Sequence, residues 1–233
     1  MTDDRNPAVP GYFVTGTDTG VGKTLVACGL VSALRNAGLE VAVMKPVASG
    51  CRETPGGLRS EDAERLLAAA SVDCAYAEVN PFAFQPPVAP HLAARGAGRR
   101  IDLAEIRRCF DGLARRADAM VVEGVGGWLV PLNERETVAD LAAALGLPVV
   151  LVVGMRLGCI NHACLSAESI RASGLALAGW IANCIDPAMA LVRESIAAIS
   201  ERVDAPAMCV VPHLGTADAA FVGGLLGDHL TRS

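Results

Sequence analysis

Short, continuous apolar runs alternate with amphipathic stretches along most of the chain. Runs rich in Val, Ile and Ala, without polar alternation, are typical of strands that a parallel sheet buries on both faces. The runs predict six strands, at residues 12–15, 41–46, 119–123, 149–153, 177–182 and 207–211. The stretches between them predict helices at residues 23–38, 60–70, 102–116, 137–145, 159–173, 187–203 and 218–230. This alternation predicts an α/β fold in which helices flank one parallel sheet.

The organisation of the chain is expected to be simple. No internal repeat or linker divides it, so we expect a single domain over residues 1–233, with residues 1–10 frayed. The first ten residues, MTDDRNPAVP, are acidic and contain proline, unlike a signal peptide. Residues 80–90 contain four prolines and are expected to form neither a regular helix nor a central strand.

Charge and composition argue against nucleic-acid-binding and membrane proteins. The net charge is −5, so we expect no nucleic-acid partner and no anionic membrane surface. The longest apolar stretch, at residues 138–153, is interrupted by Asp140, Gly146 and Pro148, which argues against a transmembrane helix. The eight cysteines contain no CxxC pair, and we expect them to be reduced thiols in a cytoplasmic protein.

A glycine-rich segment, YFVTGTDTGVGKT, occupies residues 12–24 and joins a strand, a loop and the start of a helix. Its GKT ending matches the phosphate-binding P-loop, in which backbone N–H groups and a helix N-terminus surround an anion. Five residues separate Gly16 from Gly22, one more than the usual motif has. Lys23 is expected to reach the β- and γ-phosphates of ATP, and the Thr24 hydroxyl is expected to bind Mg²⁺.

Several side chains near the predicted strand ends are candidates for chemistry, because ligands bind at that edge of a parallel sheet. Glu123 ends the run AMVVE and matches the acidic residue that holds Mg²⁺ beside a P-loop. The spacing of Asp62 alone favours a helix N-terminal charge. Lys45 ends a buried strand and is suited to an anionic substrate. His91 and His162 have no paired acid or nucleophile, so we interpret them as capping or packing residues.

Five segments together closely resemble the dethiobiotin synthetases, the ATP-dependent carboxylases of biotin biosynthesis. They are GTDTGVGKT, KPVASG, VEGVGGWLVPL, PVVLVVGMRLGCINHA and GWIAN, in the family's order from Tyr12 to about Leu214. The resemblance implies a P-loop NTPase-like fold and accounts for the glycine spacing. It also implies the reaction, in which CO₂ carboxylates 7,8-diaminononanoate and the product closes to dethiobiotin. ATP becomes ADP and phosphate, by way of a carbamate and a carbamic-phosphoric anhydride.

The resemblance also implies roles for individual residues. The implied catalytic residues are Thr19, Lys23 and Lys45. The implied ligands of a Mg²⁺ cofactor are Thr24, Asp62 and Glu123. The implied ATP-binding residues are Gly20, Val21, Gly22, Lys23, Thr24, Asp62, Glu123, Gly124, Gly126, Asn183, Pro212, His213 and Leu214. The implied substrate-binding residues are Ser49, Gly158, Cys159, Ile160 and Asn161.

The segment Gly158–Asn161 is the one that the resemblance assigns to a neighbouring subunit. It implies a homodimer in which the backbone N–H groups of this segment and the Asn161 side chain lie near the substrate carboxylate of the other subunit. Without the resemblance, a helix start at Gly158 capped by Asn161 is the simpler interpretation. Two departures from the family pattern are Gly20, where some members carry Glu, and Glu194-Ser195, where the family can place Tyr. We expect Glu194 to face solvent.

Two other classes of P-loop protein remain as alternatives. One is an ATP-dependent amide ligase domain or acyl-transfer regulatory domain, although such a ligase usually brings a glutaminase module for which 233 residues leave no room. The other is a dimeric ATPase switch of the partitioning type, which carries a lysine early in the loop, in the pattern KGGxGK. Asp18 stands at the matching place, which favours a synthetase over a switch.

Overall fold

A six-stranded parallel sheet forms the centre of the computed structural model, which describes residues 10–213, 215 and 218–230. The strands of the described residues are β1 Gly11–Gly16, β2 Val41–Met44, β3 Val47–Ala48, β4 Arg52–Thr54, β5 Gly57–Arg59, β6 Phe82–Ala83, β7 Ala119–Glu123, β8 Val149–Gly154, β9 Leu177–Asn183 and β10 Ala207–Val211. The helices are α1 Lys23–Asn36, α2 Glu61–Ala69, α3 Tyr76–Val79, α4 Pro90–Gly96, α5 Leu103–Ala114, α6 Val138–Leu145, α7 Cys159–Ala172, α8 Val192–Ser200 and α9 Ala219–Leu230.

The strand order across the central sheet is β10-β9-β8-β1-β7-β2, so β1 lies in its interior. β1 pairs in parallel with both β7 and β8, and Phe13 lies opposite Val122 on one side and Val149 on the other. Every residue of β2, β7 and β8 is buried. The predicted α/β class with one parallel sheet is confirmed, and the six central strands are the six that the apolar runs predict.

Side-chain caps set two helix starts close to their predicted positions. Ser60 accepts a hydrogen bond from a first-turn amide of α2, and Thr137 forms a capping box with Asp140 at the start of α6. α1 and α7 begin differently, because their N-cap residues are Gly22 and Gly158, in the left-handed conformation and with no side-chain cap. These two helices follow the adjacent strands β1 and β8.

The helix predicted at residues 187–203 is shorter in the structure, where α8 spans Val192–Ser200. The Asp186 side chain accepts a hydrogen bond from the Ala188 amide at 2.9 Å, which closes a local turn in place of a first helical turn. Leu191 then takes a left-handed conformation with φ 55° immediately before α8. The apolar spacing alone does not reveal this turn.

The structure adds short elements that the sequence pattern does not predict. β3 pairs in parallel with β6, and β4 pairs with β5 in an antiparallel hairpin. Residues 80–90 are therefore not wholly irregular, since they contain β6 and the first residue of α4. Elements of two to four residues are too short to show hydrophobic periodicity.

The helix that follows the glycine-rich loop is covered by the last helix of the chain. A Cβ atom on Gly29 of α1 would lie 2.5 Å from Val222 of α9, and one on Gly223 would lie 2.7 Å from Ser32. Both glycines are needed for this close approach. All eight cysteines are free thiols, as expected. No helix of the described chain is long and apolar enough to cross a bilayer.

Candidate active site

Two side chains, those of Asn183 and Lys23, fix the conformation of the loop between β1 and α1. Gly22 has φ 90°, and a Cβ atom there would collide with the side-chain amide of Asn183. The same amide donates a 2.8 Å hydrogen bond to the carbonyl of Val21, whose side chain is buried. Lys23 Nζ donates to the carbonyl of Asp18 at 2.9 Å. The loop is therefore shaped as a phosphate cradle by the protein's own contacts.

Four side chains from four separate elements meet beside this loop. Lys45 Nζ lies 2.5 Å from Oε1 of Glu123 and 3.1 Å from Oδ2 of Asp62, and it also donates to the carbonyl of Gly124 at 3.1 Å. Thr24 Oγ1 lies 2.8 Å from Oδ1 of Asp62 and 3.0 Å from Oε1 of Glu123. The structure thus brings together Lys45 and the three oxygen ligands singled out from the sequence, and Lys23 precedes Thr24 at the start of α1.

Burial and mutual attraction set the charges of this cluster. Burial and the nearby Lys45 lower the pKa of Lys23 to about 8. Burial also acts to lower the pKa of Lys45, but the attraction of Glu123 and Asp62 outweighs it and raises that pKa. Burial acts to raise the pKa of Asp62, yet Lys45 and the Thr24 hydrogen bond hold it below its ordinary value. Lys45 and Asp62 are therefore an ion pair at neutral pH.

The oxygen donors in the cluster fit a small divalent cation. Oε2 of Glu123 is buried and has no hydrogen-bond partner, although a buried carboxylate oxygen is costly when it is left unpaired. The Thr24 hydroxyl has one proton for two nearby carboxylate oxygens. Hydroxyl and carboxylate oxygens are ligands that Mg²⁺ accepts. Nowhere in the described part of the chain do three or more His, Cys, Asp or Glu side chains form a group that could hold a metal ion. The oxygen set described here includes a threonine hydroxyl in place of a third such side chain.

A cavity of about 730 Å³ opens next to the cluster. The predicted site residues that line it are Thr19, Gly20, Gly22, Lys23, Thr24, Lys45, Ser49, Asp62, Glu123 and Gly126. Val21 and Gly124 do not line it. Val21 packs into the core, and Gly124 uses its N–H and its carbonyl for protein hydrogen bonds. Ligand contacts by these two residues stay predictions.

The cavity is also lined by residues that the sequence analysis missed. Residues 87–90 of the proline-rich segment line it, together with Arg65, Val125 and Val130. This segment lies against the loop after Lys45, because the Gly50 amide donates to the carbonyl of Pro86. The spacing of Arg65, three residues after Asp62 on one helix face, could have revealed it. The proline-rich wall depends on a contact between distant segments, which no local pattern reveals.

The residues predicted to hold the base lie at the ends of the neighbouring strands β9 and β10. Asn183 ends β9, and Pro212 and His213 follow β10. The His213 ring lies 3.2 Å from the carbonyl of Cys184. None of these three residues lines the cavity, and Leu214 lies outside the described residues. Their contact with a nucleotide stays a prediction.

The predicted carboxylate segment lies at the start of α7, away from the cavity of its own chain. Gly158, Cys159, Ile160 and Asn161 are absent from the cavity lining. Asn161 is exposed, and the preceding Leu157 is 97% exposed. Glu194 is exposed, as expected.

An ion pair links the loop that precedes α7 to the phosphate loop. Arg156 binds the carboxylate of Asp18, whose other oxygen accepts from the Thr19 amide at 2.7 Å. Asp18 therefore takes part in shaping the loop, at the place where a partitioning switch would carry lysine.

Comparison with known proteins decides the family. A family model described as "AAA domain" matches residues 10–220. The chain is 55% identical over 219 residues to the ATP-dependent dethiobiotin synthetase BioD of Pseudomonas paraeruginosa, covering 94% of this chain and 96% of that protein. It is 53% identical over 226 residues to the BioD protein of Aromatoleum aromaticum, covering 97% and 98%. The chain belongs to the dethiobiotin synthetase family.

Solved structures of lower identity show which other folds this chain resembles. The cell division protein MinD of Aquifex aeolicus matches with a TM-score of 0.59 at 14% identity, covering 96% of this chain and 98% of that one. A ParA family ATPase of Chlorobium tepidum matches with a TM-score of 0.58 at 13% identity, covering 97% and 98%. At such identity the likeness concerns the fold alone, and it confirms the P-loop NTPase-like architecture.

Proposed function

We propose that this protein catalyses the ATP-dependent conversion of 7,8-diaminononanoate and CO₂ to dethiobiotin, within biotin biosynthesis. The observation that carries the proposal is Lys45, whose ammonium group stands between Glu123 and Asp62 at the edge of a cavity that also contains Lys23. A carbamate and a triphosphate are both anions, and cations between them are needed before they can react. The identity to proteins named ATP-dependent dethiobiotin synthetase supports the same reaction.

The reaction has three steps that balance without an oxidant or reductant. One amine of the substrate attacks CO₂, forms a C–N bond and loses a proton, which gives a carbamate. A carbamate oxygen then displaces ADP from the γ-phosphorus of ATP, which gives a carbamic-phosphoric anhydride. The second amine attacks the anhydride carbon, phosphate leaves, and a proton is released as the cyclic urea closes.

Lys45 is proposed to hold the carbamate oxygen by exchanging one of its present contacts. Its three N–H donors point to Glu123, Asp62 and the carbonyl of Gly124. Asp62 is the half-exposed partner of the three, so this contact is the one that an anionic oxygen replaces most easily. Thr19 and Ser49 line the same cavity and are proposed to orient the carbamate and the phosphate.

Lys23 and the loop amides are proposed to bind the β- and γ-phosphates, with Thr24, Asp62 and Glu123 holding Mg²⁺. When bound, Mg²⁺ would neutralise phosphate charge and orient the γ-phosphate for displacement. The unpartnered oxygen of Glu123 supports this assignment, since the buried atom gains a partner.

The base and the substrate carboxylate are proposed to bind outside the lined cavity. Asn183 and residues 212–214 would hold adenine. The segment Gly158–Asn161 would bind the carboxylate of the other subunit in a homodimer. Leu157 and Leu165 support this dimer, because they are exposed and flank Asn161 at intervals of four residues. A cytoplasmic location completes the proposal and fits the eight free thiols.

Product analysis tests the reaction. Purified protein is mixed with ATP, Mg²⁺, bicarbonate and the diamine, and the products are analysed by mass spectrometry. We expect dethiobiotin and ADP in equal amounts, and no dethiobiotin when ATP or bicarbonate is omitted. ADP formation that does not depend on the diamine, with no cyclic urea, would instead support an ATPase switch.

A further inference from the structure

A chain of hydrogen bonds connects the backbone of Lys45 to the start of the helix that carries Asp62. The Ser60 amide donates to Tyr76 Oη at 2.7 Å, and Tyr76 Oη donates to Asn80 Oδ1 at 3.0 Å. Asn80 Nδ2 then donates to the carbonyl of Lys45 at 2.6 Å. Ser60 is the N-cap of α2, two residues before Asp62. The path is continuous, and its three donor–acceptor distances lie between 2.6 and 3.0 Å.

The groups along this path are packed so that they hold one geometry. Ser60 and Asn80 are buried, and the Arg59 guanidinium lies over the Tyr76 ring at 4.1 Å from its centre. The Lys45 amide donates to the carbonyl of Val79 at 2.9 Å. α3 therefore holds the backbone of Lys45 through both its N–H and its carbonyl group.

The direct ion pair is not enough to fix the distance between the two charged side chains. Asp62 is 45% exposed, and the proposed reaction requires Lys45 to exchange this contact for a substrate oxygen. Once the exchange has occurred, the positions of the two side chains are set by the backbone connection and by the contacts that run through Glu123 and Thr24. The bond from Asn80 to the Lys45 carbonyl is buried and the two bonds of Tyr76 are partly buried, and such a network holds its members in place when all of them are paired.

We propose that Tyr76 and Asn80 are positioning residues, which fix the spacing between the Lys45 amine and the Asp62 carboxylate through the reaction. The inference rests on the proposed function, because that function makes Lys45 the carbamate contact and Asp62 a metal ligand. Neither Tyr76 nor Asn80 lines the cavity. Their effect therefore passes through Lys45 and α2, as for outer-sphere partners that orient metal ligands.

The chain contains two tyrosines, which gives a matched pair of variants. Tyr76→Phe removes the hydroxyl at the centre of the path and keeps the ring beneath Arg59. Tyr12→Phe removes the same atom from β1, at the end of the strand opposite the phosphate loop, and within the described residues no hydrogen bond to that hydroxyl is found. Thermal unfolding and circular dichroism confirm that both variants are folded before they are compared.

Two measurements are made on each variant. The first is steady-state turnover, for which Tyr76→Phe is expected to lower kcat about tenfold or more while changing the KM for ATP less than about twofold. The second is binding of Mn²⁺ to the ADP-bound protein, followed by the electron paramagnetic resonance signal of free Mn²⁺. We expect Tyr76→Phe to weaken Mn²⁺ binding about tenfold and Tyr12→Phe to leave both quantities near wild type.

A second substitution guards against a purely structural effect of losing the hydroxyl. Asn80→Asp keeps the size of the side chain and an acceptor for Tyr76, but it removes the donor to the Lys45 carbonyl. It is expected to lower kcat as Tyr76→Phe does. The double variant is expected to lose little more than either single one, because both changes interrupt one path.

The outcomes separate this inference from the proposed function. If Tyr76→Phe and Tyr12→Phe have the same kcat and the same Mn²⁺ affinity, the positioning role is wrong. If wild-type protein forms no dethiobiotin, the proposed function is wrong, and the Mn²⁺ measurement still tests the link between Tyr76 and Asp62. Additive losses in the double variant would show that Tyr76 and Asn80 act independently, which contradicts a shared path.

Discussion

The N-termini of α1 and α7 share their backbone geometry and differ in everything around it. Both helices follow neighbouring parallel strands, β1 and β8. Both have a glycine at the N-cap, with φ 90° at Gly22 and φ 96° at Gly158, and neither has a side-chain cap. Each therefore offers free N–H groups and the positive end of a helix dipole to an anion.

The surroundings of the two N-termini are opposite in character. Gly22 rests on the side chain of Asn183, and buried Lys23 lies one residue further on. A Cβ atom on Gly158 would meet nothing within 4 Å, and Leu157 beside it is almost fully exposed. The N-terminus of α1 is enclosed by side chains of the same chain, whereas the N-terminus of α7 is open and lies beside an exposed leucine.

The difference shows that a helix N-terminus becomes a site only through what encloses it. At α1, the enclosing groups are two lysines and two acids, which under the proposed function bind a triphosphate together with Mg²⁺. At α7, the enclosing groups are absent from the described part of this chain. A second copy would supply them under the proposed dimer, together with a substrate whose carboxylate stands far from its amines.

Loss of the central cation is expected to have the largest effect. Lys45→Ala should lower kcat about a hundredfold to a thousandfold, because one electrostatic contact in the transition state contributes about 2.7–4 kcal/mol. ATP affinity should stay near wild type, since under the proposed function Lys45 contacts the carbamate more than the nucleotide. Isothermal titration with ATP and steady-state kinetics measure the two effects. As a control, Lys23→Ala should weaken both ATP binding and turnover. An equal loss of ATP affinity in the two variants would contradict the separate roles of the two lysines.

The two N-cap glycines test the comparison directly. Gly22→Ala should weaken ATP binding about a hundredfold, because its Cβ atom collides with Asn183 and the left-handed backbone adds strain. Gly158→Ala carries the same backbone strain without a collision, and should leave ATP affinity within about twofold. Titration of both variants with ATP measures the difference. Similar losses of ATP affinity in the two variants would mean that the backbone strain, and not the collision with Asn183, causes the loss. The contrast between the two N-termini would then be wrong.

Subunit mixing tests whether the open N-terminus serves another copy. Lys45→Ala and Asn161→Glu proteins are each expected to be inactive, the second because an acid would repel the substrate carboxylate. After exchange at equal amounts, half of the dimers are mixed and each has one intact site, so about a quarter of wild-type activity should return. A protein that is monomeric by light scattering, or that recovers no activity despite proven exchange, would exclude the shared site.

Removing the ion pair between Arg156, before α7, and Asp18, before α1, is expected to have the smallest effect on ATP affinity. Arg156 and Asp18 are both partly exposed, and pairs of this kind contribute about 1 kcal/mol or less. Arg156→Met should therefore change ATP affinity less than about fivefold, and the difference should shrink at high salt. Titrations at low and high salt measure it, with Arg171→Met, in the last turn of α7, as the control. A larger loss would mean that the two N-termini are coupled and are not separate sites.

Sequence patterns predict the central sheet because its strands are largely apolar. They also predict the starts of α1, α2, α5, α6 and α7, because each of these helices begins at a recognisable cap or glycine. The same patterns predict that Lys45 and Glu123 lie near the phosphate loop, since all three stand at the same edge of a parallel sheet. Asp62 is different, because its position at a helix start has an ordinary explanation, and the family resemblance was needed to assign it.

The remaining features depend on contacts between segments that are distant in sequence. The proline-rich wall lies beside the loop after Lys45 through backbone hydrogen bonds that no periodicity reveals. The same holds for Asn183, whose contact with Gly22 spans most of the chain. The early end of the sheet strand at Met44, two residues before its predicted end, reflects the change of partner from β7 to the short β3–β6 pair.

The position of β1 in the interior of the sheet has a consequence for the order of assembly. Both neighbours of this strand are synthesised more than a hundred residues after it, and α9, which covers α1, is the last helix of the described residues. Contacts so distant in sequence form late and leave apolar surface exposed until they close. On the ribosome, the loop between β1 and α1 emerges well before β7, β8 and α9, so it cannot reach its final surroundings until these later elements have been made.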